Sequence, residues 1–108
     1  MVRPMDARSF VGTWKSYRMD YLQADKPSES NSKLTLVLRQ DGTGEIKMKM
    51  VPTKLKFLWH VEEGEVIGIS KKQNSVIGVQ DIGNGEIKLM YTNSLSYTPN
   101  FAYYMRRA

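Results

Sequence analysis

The chain has 108 residues, 41% of them hydrophobic and 25% charged, with a net charge of +5 and no cysteine. That length supports one domain with a real core, and the balance of residue types excludes a wholly disordered chain. The missing cysteines exclude disulfide frameworks, thiolate metal sites and cysteine nucleophiles, while the positive charge admits anionic partners without choosing among them.

Residues 1–9 read as a tail with one helical turn over Met5 to Ser9, which Asp6 is placed to cap. No apolar run approaches the roughly 18 residues of a membrane span, and the tail lacks the apolar core of a signal peptide. A cytoplasmic protein is the default expectation, and a secreted or periplasmic one follows only if a signal has been removed.

A first strand runs from Val11 to Met19, where alternation sets Trp14, Ser16 and Arg18 on one face. Residues 21–32 are rich in Pro, Ser and Asn and read as a long loop or lid. From Lys33 the alternation is regular. Leu34, Leu36 and Leu38 are followed by Ile46, Met48 and Met50, then by Leu55, Phe57, Trp59 and Val61. Lys54, Lys56, Leu58 and His60 fall on the opposite face of that third run. Further strands are predicted over 65–70, 75–80, 86–91 and 101–107. No useful helix covers the common apolar face, so the sheet must close on itself or stack in two layers. The expectation is a single all-β domain over 1–108, an eight-stranded antiparallel up-and-down β-barrel.

Register sharpens this, because a slip of one residue turns a strand's apolar face outward. Turns centred on Gly42, Glu63, Gln73 and Gly83 set Leu36 opposite Met48, Trp59 opposite Ile67, Ile69 opposite Ile77 and Val79 opposite Ile87. They also set Gly68 across from Gly78, read either as a bend that helps the barrel curve or as a thin place in its wall.

The opening Phe10-Val11-Gly12-Thr13-Trp14-Lys15 and the closing Tyr103-Tyr104-Met105-Arg106-Arg107 resemble the first and last strands of the calycin superfamily. A short bacterial lipocalin-like or fatty-acid-binding-protein-like barrel is the nearest pattern. There are departures: fatty-acid-binding proteins add helices and further strands, and their Arg-x-Tyr clamp is reversed in Tyr104-Met105-Arg106. The resemblance implies structural roles for Gly12 and Trp14, with Arg106 or Arg107 stacked across the tryptophan. It also implies binding and transport of a small hydrophobic molecule, without enzymatic activity or a cofactor.

Arg18 shares the parity of Trp14 and is expected to point inward, where a guanidinium would meet an anionic head group. A bulge that turns it outward towards Asp20 is the open alternative. Leu36, Met48, Met50, Phe57 and Trp59 would line the apolar wall, with Tyr91 and Tyr103 assisting Arg18. The competing expectation is a filled barrel that serves as a structural or protein-interaction domain and binds a macromolecule through its loops or basic rim. Lys26, Lys54, Lys71 and Lys72 gather towards one end and would allow transient contact with an anionic membrane. The Lys47, Lys49, Lys54 and Lys56 stripe lacks an outward aromatic ladder, which argues against nucleic acid. His60 lies outward with no Asp or Ser placed to complete a triad, so neither catalysis nor a metal site is expected.

Overall fold

The computed structural model describes residues 7–22, 24–30, 32–49, 54–72, 75–92 and 101–108, with backbone only at 91–92. A one-turn helix α1 (Ala7–Phe10) leads into β1 (Gly12–Tyr21), β2 (Glu29–Ser30), β3 (Leu34–Leu38) and β4 (Thr43–Met48). Then come β5 (Leu55–Glu62), β6 (Glu65–Ser70), β7 (Ser75–Gly83), β8 (Glu86–Thr92) and β9 (Phe101–Arg107). Each strand from β3 to β9 pairs antiparallel with the next, and β9 returns to pair with β1. Eight strands therefore close into an antiparallel β-barrel. The short β2 hangs on the side of β1, so two residues of the segment expected to be loop are strand instead.

Turn chemistry sets the registers. The β3–β4 loop closes through Arg39 N to Thr43 O, leaving Gln40, Asp41 and Gly42 in the turn. Asp41 Oδ1 accepts from Thr43 N at 3.0 Å, and Gly42 takes a φ of 88°. Leu36 consequently faces Ile46 and Leu34 faces Met48, two residues from the expected pairing but on the same faces. The β7–β8 hairpin behaves likewise, with Val79 opposite Leu89 after a bulge between Asp81 and Gly83.

Strand β6 is the correction. Glu63 and Gly64 both have positive φ, 52° and 79°, which identifies a two-residue type I′ turn between Glu62 and Glu65. Such a turn has no central residue, so the expected pairing about Glu63 fails by one. Trp59 faces Gly68, and Val66, Gly68 and Ser70 are buried inside while Ile69 is 45% exposed. Gly68 pairs with Ile77 rather than Gly78. Its thin wall admits the Phe57 ring: a Cβ on Gly68 would lie 2.7 Å from Phe57 Cδ2, and one on Gly44 2.6 Å from the same ring.

Inside, one continuous core runs from Phe10, Trp14 and Leu38 at one end to Leu34, Leu89 and Tyr103 towards the other. Phe10 and Trp14 form the floor. Trp14 Nε1 donates to Phe10 O at 3.0 Å, and the Arg107 guanidinium lies 4.4 Å from the Trp14 ring centroid. Arg107 also donates to Val11 O at 2.9 Å and to Ser9 O at 2.6 Å. At Gly12 a Cβ would sit 2.5 Å from Arg107 Nη1, so the bare glycine backbone makes room for this stack. Among the described residues no helix is long and apolar enough to cross a membrane.

Candidate functional site

Of the residues expected to line a ligand cavity, Leu36, Phe57, Trp59 and Tyr103 are buried and Met48 is half-buried. Leu36 is fully buried, as are Leu34, Ile77, Val79, Ile87, Leu89 and Met105. Phe57 is wedged against Gly44 and Gly68. Trp59 holds the β3–β4 turn, donating Nε1 to Thr43 O at 2.9 Å and to Arg39 O at 3.1 Å. Tyr103 is buried opposite Leu89 and Met19, and Met48 packs half-buried against the core. Met50 and the Tyr91 side chain lie outside the described residues, as do Asp6, Pro52 and Thr53.

Arg18 does not point inward. The β1–β9 register shifts between Ser16 and Arg18, so Tyr17 is the extra residue and everything beyond it changes face. Met19 enters the core in its place, and Ser16 Oγ accepts from Leu34 N at 3.1 Å where the β1–β3 ladder ends. Outside, Arg18 forms a fork with Asp20, Nε to Oδ1 and Nη2 to Oδ2, both 3.0 Å, and lies 4.4 Å from the Tyr104 centroid. The hydrogen bonds from Arg18, then from Ser28, lower the Asp20 carboxyl to about 2. Of the two terminal arginines, Arg107 takes the Trp14 stack. Arg106 stacks 4.0 Å from the Tyr17 centroid and pairs with Glu86, which also accepts from Tyr17 Oη.

Five further cations gather on the outer face of β4, β5 and β6 and the adjoining turns. There a broad groove of about 1290 Å³ has Arg39, Lys54, Lys56, Lys71 and Lys72 along its walls, against the single carboxylate of Glu45. Arg39 and Lys54 approach Glu45 at 2.7 and 3.8 Å, and the hydrogen bond from Arg39 keeps its carboxyl below the ordinary value despite partial burial. Lys56 stands opposite a carboxylate already engaged. Lys71 and Lys72 have no acidic partner among the described residues.

Apolar surface enters the same groove through Leu58 and Ile69, and Val76 continues it beyond the groove's edge. Leu58 faces Ile69 and Ile69 faces Val76 across β5, β6 and β7, at 68%, 45% and 53% exposure. Leu58 already read as outward from its alternation, a leucine among lysines being the available signal. Ile69 was hidden by the parity of the β5–β6 turn. Of the expected membrane-contacting lysines, Lys54, Lys71 and Lys72 come together here, while Lys26 lies instead over the Tyr21 ring.

His60 is exposed on this face with Nε2 3.2 Å from Glu62 Oε1. Among the described residues no three of His, Asp and Glu are grouped to hold a metal ion.

No family model matches the chain, and no solved structure matches it. A protein of Arabidopsis thaliana described as pectinesterase/pectinesterase inhibitor 43 is 29% identical over 97 residues, covering 81% of this chain. The chain spans 13% of that protein's length.

Proposed function

We propose that this domain is a non-enzymatic binding module that holds an anionic macromolecule on the outside of its barrel rather than a small molecule within it. One observation carries the reading: the outer groove combines lysines that meet no carboxylate among the described residues with exposed aliphatic surface. Exposed apolar residues scattered singly need no explanation, but Leu58, Ile69 and Val76 form a contiguous row bordered by lysines. A row of that kind, with Leu58 and Ile69 inside a groove, suits a partner that brings both negative charge and apolar groups. We assign the barrel to the calycin-like architecture on the support of Gly12-Thr13-Trp14 and the Arg107 stack, and take that likeness as one of scaffold.

Two titrations test the reading. Polyglutamate should bind wild type and lose most of its affinity in the Lys56→Gln/Lys71→Gln/Lys72→Gln variant. A fluorescent fatty acid should show no saturable one-to-one uptake. Stoichiometric fatty-acid binding that survives the lysine substitutions would return the site to the interior and overturn the proposal.

A further inference from the structure

Resting on that reading, we infer that the occupant of the groove is an acidic peptide segment of a partner protein, with apolar side chains interspersed among its carboxylates. The outward rows of β5 and β6 carry distinct chemistry in order. Lys56, Lys71 and Lys72 stand at one side, the Leu58–Ile69–Val76 row next, and Glu62 and Glu65 at the far side. A docked chain therefore meets cations on one flank, aliphatic surface beneath it and carboxylates on the other flank. Its acidic side chains must lean towards Lys71 and Lys72, which fixes its orientation across the strands.

Four features select this occupant. The aliphatic row asks for apolar side chains, which a purely anionic polymer does not bring. Single-stranded nucleic acid needs exposed aromatic faces for stacking, whereas Phe57 and Trp59 are buried at 4% and 7% exposure. A bilayer surface meets protruding apolar residues, whereas Leu58 and Ile69 lie within a concavity. A second copy of this chain is disfavoured by the net charge of +5 that both would carry. Two interstrand spacings from Leu58 to Val76 give a row of about 10 Å, the span of about three extended residues.

Fluorescence anisotropy with a labelled peptide of about eight residues, leucines interrupting glutamates, tests the assignment. Binding should weaken about tenfold or more in Lys71→Gln/Lys72→Gln and comparably in Leu58→Ser/Ile69→Ser, since each removes one of two components. Lys26→Gln should bind as wild type. Methyl resonances of Leu58 and Ile69 should shift on titration while those of Leu36 and Leu89 do not. Equal affinity for an all-glutamate peptide, or no effect of Leu58→Ser/Ile69→Ser, overturns the peptide assignment. Lysine-dependent binding of an oligonucleotide or of anionic vesicles tighter than the peptide also overturns it, yet leaves an external anionic partner standing. Concentration-dependent self-association without peptide, lost in the lysine variant, replaces the partner with a second copy. Binding by none of these probes removes both the peptide and the external site.

Discussion

The floor of the barrel and the groove on its flank each present arginine or lysine beside apolar groups, and they use them in opposite ways. At the floor, Arg107 stacks on Trp14 and donates to two backbone carbonyls. In the groove, Lys71 and Lys72 meet no carboxylate among the described residues, and the neighbouring Leu58 and Ile69 remain open to water. A cation whose donors and face are consumed by its own fold contributes stability. One that is left over beside exposed aliphatic surface contributes nothing until something arrives. The difference separates scaffold from site more sharply than residue type does.

The comparison breaks first if the floor proves dispensable. Trp14 is 1% exposed and spans the closed end between Phe10 and Leu38. Trp14→Ala should cost about 3–5 kcal/mol in urea unfolding, the transfer term plus a cavity too large to collapse. A loss near zero would mean that α1 and the terminal arginine do not close the barrel.

The wall above the floor gives the next effect. Gly68→Val forces a branched side chain onto the Phe57 ring and the adjacent Ile77 Cβ, and should cost about 1–3 kcal/mol. If that contact is the cause, the penalty shrinks in a Phe57→Leu background, because the two positions couple directly. An unchanged penalty would place the strain in the backbone.

Arg107→Met keeps much of the side chain's bulk but removes the cation over Trp14 and both carbonyl contacts, so about 1–2 kcal/mol should be lost. The matched change in the groove, Lys71→Gln/Lys72→Gln, should leave stability within about 0.5 kcal/mol. Equal losses in the two variants would erase the distinction between employed and spare cations.

Asp20 offers the same distinction a pH axis. Its carboxyl is lowered from 3.8 to about 2 by Arg18 and Ser28. A lowered folded value stabilises the native state above the unfolded value and is lost as pH falls through the folded one. Asp20→Asn should therefore cost about 1 kcal/mol near neutrality, discounted for the solvent around the pair. The gap to wild type should close between about pH 4 and pH 2, as read from thermal unfolding at each pH. A gap constant with pH would show that the Arg18 fork contributes no charge-dependent stability.

Much of the fold was legible because alternation and an apolar face survive modest errors of pairing. The shifts by two at Gly42 and at Gly83 left Leu36, Ile46, Val79 and Leu89 inside. The floor was legible too, since Gly12, Trp14 and a terminal arginine read as one unit. Two things were less so. The bulge at Tyr17 leaves no mark in the alternation of β1, so parity set Arg18 inward, and only the cost of an unpaired buried guanidinium pointed to the outward alternative with Asp20 that the structure adopts. The loops flanking β6 hold even numbers of residues, two at Glu63-Gly64 and four over 71–74, so both pairings were off by one. Together those errors move β7 by two residues relative to β5, from Val79 to Ile77 in line with Trp59, which restores its parity. Ile77 and Val79 therefore stayed correctly inside while β6 alone was inverted, and with it Ile69, the middle of the exposed row.

That hidden parity can be tested at its source. Glu63 holds a φ of 52° at the first position of a type I′ turn, where Asn or Gly is favoured and a long side chain is strained. The other hairpin of this kind already has Asn84-Gly85, with φ of 56° and 73°. Glu63→Asn should therefore raise stability by about 0.5 kcal/mol, the smallest effect here, while the faces of β6 stay as they are. Chemical shifts of the Val66 and Ile69 methyls report the faces, and urea unfolding reports the gain. Should the substitution destabilise, the turn is not held as a relaxed I′ loop. The inversion that brings Ile69 into line with Leu58 and Val76 would then rest on packing inside the barrel, with Val66 and Gly68 selecting the register against the preference of their own hairpin.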